Sequence, residues 1–161
     1  MGLVSVAYAG VSGAAEPRAG AWSGGAAIGF LGNTPDRTAF ATNVHADYFL
    51  NHQISVGPLA QLAVTGDLFQ FGLSGQGKYW LDLPGLDTRL KMNLQGGFGF
   101  LHADLYRSDT SFLIPIGVGL DFALNQQVRP TSTLLLNFTD VDTGRGTDAN
   151  VMPGLTFGAR F

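Results

Sequence analysis

The sequence contains no cysteine and few charged residues. Without cysteine, the chain cannot form disulfide bonds, thiolate nucleophiles or cysteine-based zinc sites. Charged residues make up 13% of its 161 residues, whereas they make up about a quarter of an ordinary soluble domain. We therefore expect a medium other than water to contact part of the surface.

Long apolar runs and basic clusters are also missing. No stretch reaches the roughly 20 consecutive apolar residues that a membrane helix needs. Even residues 113–124 are interrupted by Pro115, Gly117, Gly119 and Asp121, so a helical membrane protein is excluded. The formal net charge is −3, and no run of Lys or Arg supplies the concentrated basic face that phosphate binding requires. A nucleic-acid partner is therefore not expected.

From residue 21 onward, apolar and polar residues alternate with period two, which is the pattern of half-buried β-strands. Gly, Pro, Asn and Asp lie between the segments, where the backbone must reverse. The predicted strands are residues 21–31, 38–50, 53–65, 68–81, 88–102, 111–124, 127–139 and 149–161. Since no linker or shift in composition divides them, we predict one domain over residues 21–161.

Residues 1–20 precede the strands, and we expect this segment to be flexible. It contains Ala7-Tyr8-Ala9, a small-x-small pattern like a signal-peptidase site, but it has neither a basic n-region nor a full apolar h-region. The segment is therefore either the remnant of a leader or a flexible N-terminus.

The two faces of the strands differ sharply. One face carries large apolar and aromatic residues and no charge in any strand, whereas the other is polar, small and rich in glycine. A soluble barrel would turn its large apolar residues inward, but this polar face would make a poor surface in water. A charge facing lipid at the bilayer midplane costs about 2–4 kcal/mol. We therefore predict an all-β fold, an eight-stranded antiparallel up-and-down transmembrane β-barrel.

Aromatic residues of the apolar face support this prediction because transmembrane barrels concentrate them in two belts. We call the rim that holds the N-terminus the lower end, so that odd strands run upward. The predicted lower belt is Trp22, Tyr48, Tyr79, Phe122 and Phe161. The predicted upper belt is Phe30, Phe40, Phe69, Phe100, Phe112 and Phe138.

The C-terminal segments resemble a known family. Residues 154–161 form an alternating strand that ends on Phe161, and residues 117–125 with 134–141 resemble the penultimate hairpin of the small OmpA- and OmpW-like outer-membrane barrels. The resemblance implies a bacterial outer-membrane location, both termini in the periplasm, and recognition of the last strand by the assembly machinery. Membrane lipid and lipopolysaccharide are then the expected surroundings of a monomer. The outer loops are short, which argues against a function in adhesion or immune evasion.

Charged residues on the polar face collect toward the lower end. This predicted lumen cluster comprises Asp47, Lys78, Arg89, Lys91, Asp121, Arg129 and Arg160. Opposite charges in a space poor in water must pair. The cluster is then either an internal plug or a basic periplasmic constriction that passes small anions, giving a structural barrel or a narrow passive channel. Inward glycines above it either make room for large neighbours or widen the lumen.

Two other functions remain as alternatives. A soluble lipocalin-like barrel would bind an apolar ligand inside. A lipid A-modifying enzyme would use a nucleophile or a histidine with an acidic partner; His45 with Asp47, or His102 with Asp104, are the available pairs. A His-x-Ser deacylase-like motif is absent, so we predict no enzyme. His45, His52 and His102 lack ligand spacing, and we expect no metal and no cofactor.

Overall fold

A computed structural model describes residues 17–83, 85–87, 89–125, 127–144 and 148–161. The signal-peptidase-like pattern at residues 7–9 lies outside these ranges, as do residues 1–16 of the predicted N-terminal segment as a whole. The described residues form eight strands and no helix: β1 Trp22–Thr34, β2 Arg37–Phe49, β3 Ile54–Val64, β4 Phe69–Asp82, β5 Leu90–Asp104, β6 Ser108–Phe122, β7 Arg129–Asp142 and β8 Asp148–Arg160. Accordingly, none of the described residues belongs to a helix that could cross a membrane.

Each strand pairs antiparallel with its neighbours in the chain, and β1 also pairs with β8 to close the barrel. Hydrogen bonds between Gly24 and Phe161 run in both directions at 2.8 Å and complete this seam. The predicted all-β, eight-stranded antiparallel barrel is confirmed. Because closure pairs the first strand with the last, the sheet has no free edge among the described strands.

Strands β1, β5, β6 and β7 extend two or three residues further at the upper end than predicted. The sequence predicts each strand end at the point where the apolar alternation stops. The hydrogen-bonded ladder continues past that point, as the pairs Ala103↔Asp109 and Asp104↔Ser108 of β5 and β6 show. The difference arises because backbone pairing does not need an apolar face.

Short turns join the strands at both ends. In two lower turns an Asn side chain organises the reversal: Asn51 Oδ1 accepts hydrogen bonds from the backbone N–H groups of residues 53 and 54, and Asn125 Oδ1 does the same for residues 127 and 128. In the first upper turn, Asn33 and Arg37 take positive φ angles of 54° and 66°. Asn tolerates this conformation better than most residues.

Burial alternates along the strands as the sequence predicted. In β1, Ala27 and Leu31 point into the lumen, while Ile28 and Phe30 are exposed on the outside. The outer surface is therefore covered with apolar side chains, and the interior holds the polar ones together with a smaller apolar core.

Candidate functional site in the barrel lumen

Two ion pairs cross the lower part of the lumen. Lys78 Nζ lies 2.9 Å from Asp47 Oδ2, and Arg160 Nε lies 2.7 Å from Asp121 Oδ2. All four side chains are almost completely buried. Since a buried charge without a partner is strongly unfavourable, each acid of the lumen has a base in direct contact.

Arg160 is the centre of this region. Its guanidinium carbon lies 4.7 Å from the centroid of the Trp80 ring, and its Nη1 donates a hydrogen bond of 3.1 Å to Ser23 Oγ. Trp80 in turn donates from Nε1 to Ser55 Oγ at 2.9 Å. The side chain of one residue on β8 thus contacts or bonds groups on β1, β4 and β6, and it ties the closing seam to the opposite wall.

Arg129 is the fifth member of this ionic layer, which we define as Asp47, Lys78, Asp121, Arg129 and Arg160. Arg129 is buried and is the register partner of Arg160 across β7 and β8. Three bases and two acids give the layer a formal charge of +1, from 3 − 2.

The structure does not bring the other two predicted lumen residues into this layer. Arg89 lies in the turn before β5 and pairs with Asp87 at 2.6 Å, with both side chains exposed. Hydrogen bonds from Arg89 lower the pKa of the Asp87 carboxyl to about 2. Lys91 pairs with the exposed Asp82 at 2.7 Å on the lower rim. The inward prediction for Arg89 is wrong because a neighbouring acid two residues away binds it in the turn.

Polar residues without charge fill the middle of the lumen. This amide layer consists of Asn43, Gln61, Gln70, Gln76, Asn93, Gln95 and Asn137, all buried. His45 lies at its lower boundary, with Nε2 3.5 Å from Asp47 Oδ2. His45 therefore faces the ionic layer and is a neighbour of the Asp47–Lys78 pair.

An apolar core fills the upper lumen. This apolar cap consists of Leu31, Ala39, Ala41, Ala63, Leu68, Leu101, Ala103, Leu113, Val141, Ala149 and Met152. The inward glycines below it accommodate close neighbours: a Cβ on Gly72 would lie 2.9 Å from Leu113 and 3.2 Å from Leu101. Inward apolar residues at the top of β5 and β6 were the available signal. These glycines therefore make room for large neighbouring side chains and do not widen the lumen.

The aromatic residues predicted for the belts all lie on the outer face. Trp22 and Tyr48 contact each other at the lower end with centroids 5.1 Å apart, and Phe30 and Phe40 pair at the upper end at 6.3 Å. Phe98 is a further aromatic residue on this face, at mid-height of β5 and 68% exposed.

The two histidine–acid pairs considered for catalysis lie in different parts of the barrel, and of these His45 and Asp47 approach each other to 3.5 Å. His102 lies on the outer face near the upper rim, where its Nδ1 is 2.8 Å from Thr110 Oγ1. His45 is inside the barrel, and His52 lies in a lower turn with Nδ1 2.7 Å from the Pro17 carbonyl. Within the described ranges, no group of three or more His, Asp or Glu side chains is arranged to hold a metal ion.

No protein-family model and no curated protein matches this chain. Solved structures do match. Neisserial surface protein A (NspA) is 18% identical, with a TM-score of 0.63 over 86% of this chain and 94% of that one. The N-terminal β-barrel domain of Pseudomonas aeruginosa OprF is 15% identical, with a TM-score of 0.58 over 87% of this chain and 97% of that one.

Ail, the attachment invasion locus protein of Yersinia pestis, is 13% identical, with a TM-score of 0.51 over 87% of this chain and 96% of that one. At such low sequence identities, these structural matches show a shared fold alone. The chain has the fold of small eight-stranded outer-membrane barrels.

Proposed function

We propose that this protein is an integral outer-membrane β-barrel with a closed lumen and a structural function in the membrane. The observation that carries the proposal is the distribution of charge. Between the two aromatic belts, the outer face of the described strands bears no charged side chain, while the ionic layer is buried inside. An outside suited to hydrocarbon around a polar inside is the arrangement of a membrane barrel.

The height of the apolar band supports the membrane assignment. Trp22 and Phe30 on β1 are eight residues apart, and Leu90 and Phe100 on β5 are ten apart. At about 3.3 Å per residue and a tilt of about 40°, these spacings span roughly 20–25 Å. An outer-membrane barrel has an apolar band about 25 Å tall.

The exposed side chains argue against the soluble, lipocalin-like alternative. Trp22 and Phe98 are 62% and 68% exposed, and Ile28 and Phe157 are also more than half exposed. Soluble monomers rarely expose a continuous apolar patch of more than a few hundred Å². A carrier of apolar ligands would also need an apolar cavity, whereas this lumen holds ion pairs and amides.

The filled lumen favours a structural barrel over a passive channel. The apolar cap closes the upper end and the ionic layer closes the lower end, so a solute has to displace both. The alternative of a basic constriction that passes anions needs an open form of this lumen, and Lys78 and Arg160 of the ionic layer are each held in a direct ion pair with a buried acid.

The proposal includes an outer-membrane location for the barrel and lipid as its surroundings. One similar structure is described as the outer membrane protein Ail in a phospholipid bilayer nanodisc. Because the C-terminal segments resemble those of the small outer-membrane barrels, we expect the lower rim, where Gly24 pairs with Phe161, to face the periplasm. The exposed Phe161 would then be available to the assembly machinery, and lipid and lipopolysaccharide would surround a monomer.

The deciding experiment is refolding from urea into detergent micelles and, separately, into plain buffer, followed by gel electrophoresis of boiled and unboiled samples. We expect a faster unboiled band only with detergent, because the apolar band needs a hydrocarbon environment. A cooperatively folded monomer in plain buffer would contradict the proposal. Loss of an activity on lipopolysaccharide in His45→Ala or His102→Ala would instead support the enzyme.

A further inference from the structure

The amide layer contains more polar groups than the described side chains can satisfy. Gln70 Oε1, Asn137 Oδ1 and Gln76 Nε2 are buried and have no hydrogen-bond partner among the described residues. Burying such a group without a partner costs free energy, and buried polar groups in folded proteins are nearly always bonded to protein or water. These atoms therefore point to a ligand inside the barrel.

Two of them line one small cavity. It has a volume of about 10 Å³ and is bordered by Asn43, Gln61, Gln70, Asn137 and Thr156, with apolar neighbours above. Gln70 and Asn137 both direct their amide nitrogens at Met152, to Sδ at 3.7 Å and to the carbonyl oxygen at 3.5 Å. Their free groups are therefore acceptors, and the occupant of this cavity must be a donor of about the size of one water molecule.

A second cavity lies below the first. Its volume is about 20 Å³, and its polar lining includes His45, Gln76, Lys78 and Gln95. The free group here, Gln76 Nε2, is a donor, so the occupant must accept a hydrogen bond. The ammonium group of Lys78 in the wall disfavours a cation.

Asn43 and Thr156 border both cavities. Asn43 Nδ2 donates to Thr156 Oγ1 at 3.5 Å, at the upper limit for a hydrogen bond. The occupant of the upper cavity must donate a hydrogen bond, and the occupant of the lower cavity must accept one. A water molecule can do either, so water fits both cavities.

We propose that the amide layer holds two internal water sites, one above and one below the Asn43–Thr156 pair. The apolar cap and the ionic layer separate both sites from bulk solvent, so the bound water exchanges slowly. The slow exchange rests on the closed lumen of the proposed function, whereas occupancy of the sites does not.

The test is NMR of the refolded, ¹⁵N-labelled protein in micelles, with NOE and ROE cross-peaks measured from the water resonance to side-chain amides. We expect cross-peaks with the sign of long-lived water at Gln70 and Gln95. Asn137→Leu should remove the peak at Gln70 and keep that at Gln95, whereas Gln76→Leu should do the reverse. Gln53→Leu, in an exposed turn, is the matched control and should change neither.

Absence of cross-peaks at both buried amides, with the exposed Gln53 amide of the wild type giving its exchange peak, would overturn the proposal. Peaks with the sign of short-lived hydration would overturn the sealed sites and indicate an open lumen. Folding without detergent would contradict the proposed function. The cross-peaks at Gln70 and Gln95 would still decide whether the two water sites are occupied. If a variant does not give the faster unboiled band, the wild-type spectrum decides.

Discussion

At the scale of the residue, Arg160 illustrates how a membrane barrel buries charge. Its guanidinium is inaccessible to solvent and lies between the Trp80 ring and the Asp121 carboxylate. The pair does not imply high stability by itself, because desolvation offsets much of its attraction. The cost arises when one partner is removed and the other remains buried.

Arg160→Met should therefore destabilise the barrel by about 3–5 kcal/mol, because the buried Asp121 carboxylate loses the guanidinium that contacts it at 2.7 Å. Urea unfolding in micelles, followed by the fluorescence of Trp80 and Trp22, measures this. Lys91→Met is the control: its pair with Asp82 is on the rim, and its loss should cost less than about 1 kcal/mol. The double variant Arg160→Met/Asp121→Asn should lose less than the sum of its single variants. Equal midpoints for Arg160→Met and the control would contradict a stabilising role for the contacts that Arg160 makes across the lumen.

The glycines give a second prediction at this scale. A Cβ on Gly99, which faces the lumen, would lie 2.0 Å from the Leu73 carbonyl oxygen, whereas a Cβ on Gly77, on the outer face, would meet no atom within 4 Å. Gly99→Ala should therefore force the β4–β5 backbones apart and cost about 1–3 kcal/mol. Gly77→Ala should be neutral or slightly stabilising, because it lowers the entropy of the unfolded chain. Equal urea midpoints for these two variants would be inconsistent with close packing at Gly99.

At the scale of the element, each strand is a two-sided unit whose outer side changes character with height. Phe98 lies at the middle of β5, opposite Gly75 of β4, while Trp22 begins β1 at the lower rim. Both are well exposed, so in water a charge would be tolerated about equally at either position. In a membrane, the cost of a charge depends on its depth.

Phe98→Arg should therefore destabilise the barrel by about 2–4 kcal/mol in lipid vesicles, and Trp22→Arg by no more than about 1 kcal/mol. The measurement is the urea dependence of the folded band after refolding into vesicles. A similar loss for both variants would argue that neither side chain faces hydrocarbon.

At the scale of the whole molecule, the closed lumen that we propose has two barriers of different chemistry, the apolar cap and the ionic layer. Removal of the Asp47–Lys78 pair leaves the apolar cap intact, and removal of cap leucines leaves the ionic layer intact. We expect no conductance in planar bilayers from the wild type, from Lys78→Ser or from Leu101→Ser/Leu113→Ser. The combined triple variant should show small channels, and steady channels from the wild type would refute the closed lumen.

Much of this arrangement was predictable from the sequence. The strands, the two faces, and the common height of Asp47, Lys78, Asp121 and Arg160 follow from counting residues along an alternating pattern. The position of Arg89 did not follow, because its local bond with Asp87 forms in a turn, where alternation gives no direction. The inward direction of Leu101 and Leu113 followed from the alternation, but their packing with residues of other strands into the apolar cap did not, because it depends on the closed sheet.

The sequence by itself determined an eight-stranded barrel with an apolar outer face, because side chains alternate with a period of two and one face carries no charge. Only the tertiary structure decided which acid pairs with which base. Asp121 and Arg160 are 39 residues apart and on strands that are not neighbours. Their contact across the lumen depends on the stagger and tilt of the closed sheet, which no single strand encodes. For the same physical reason, the structure alone decided that the lumen is filled.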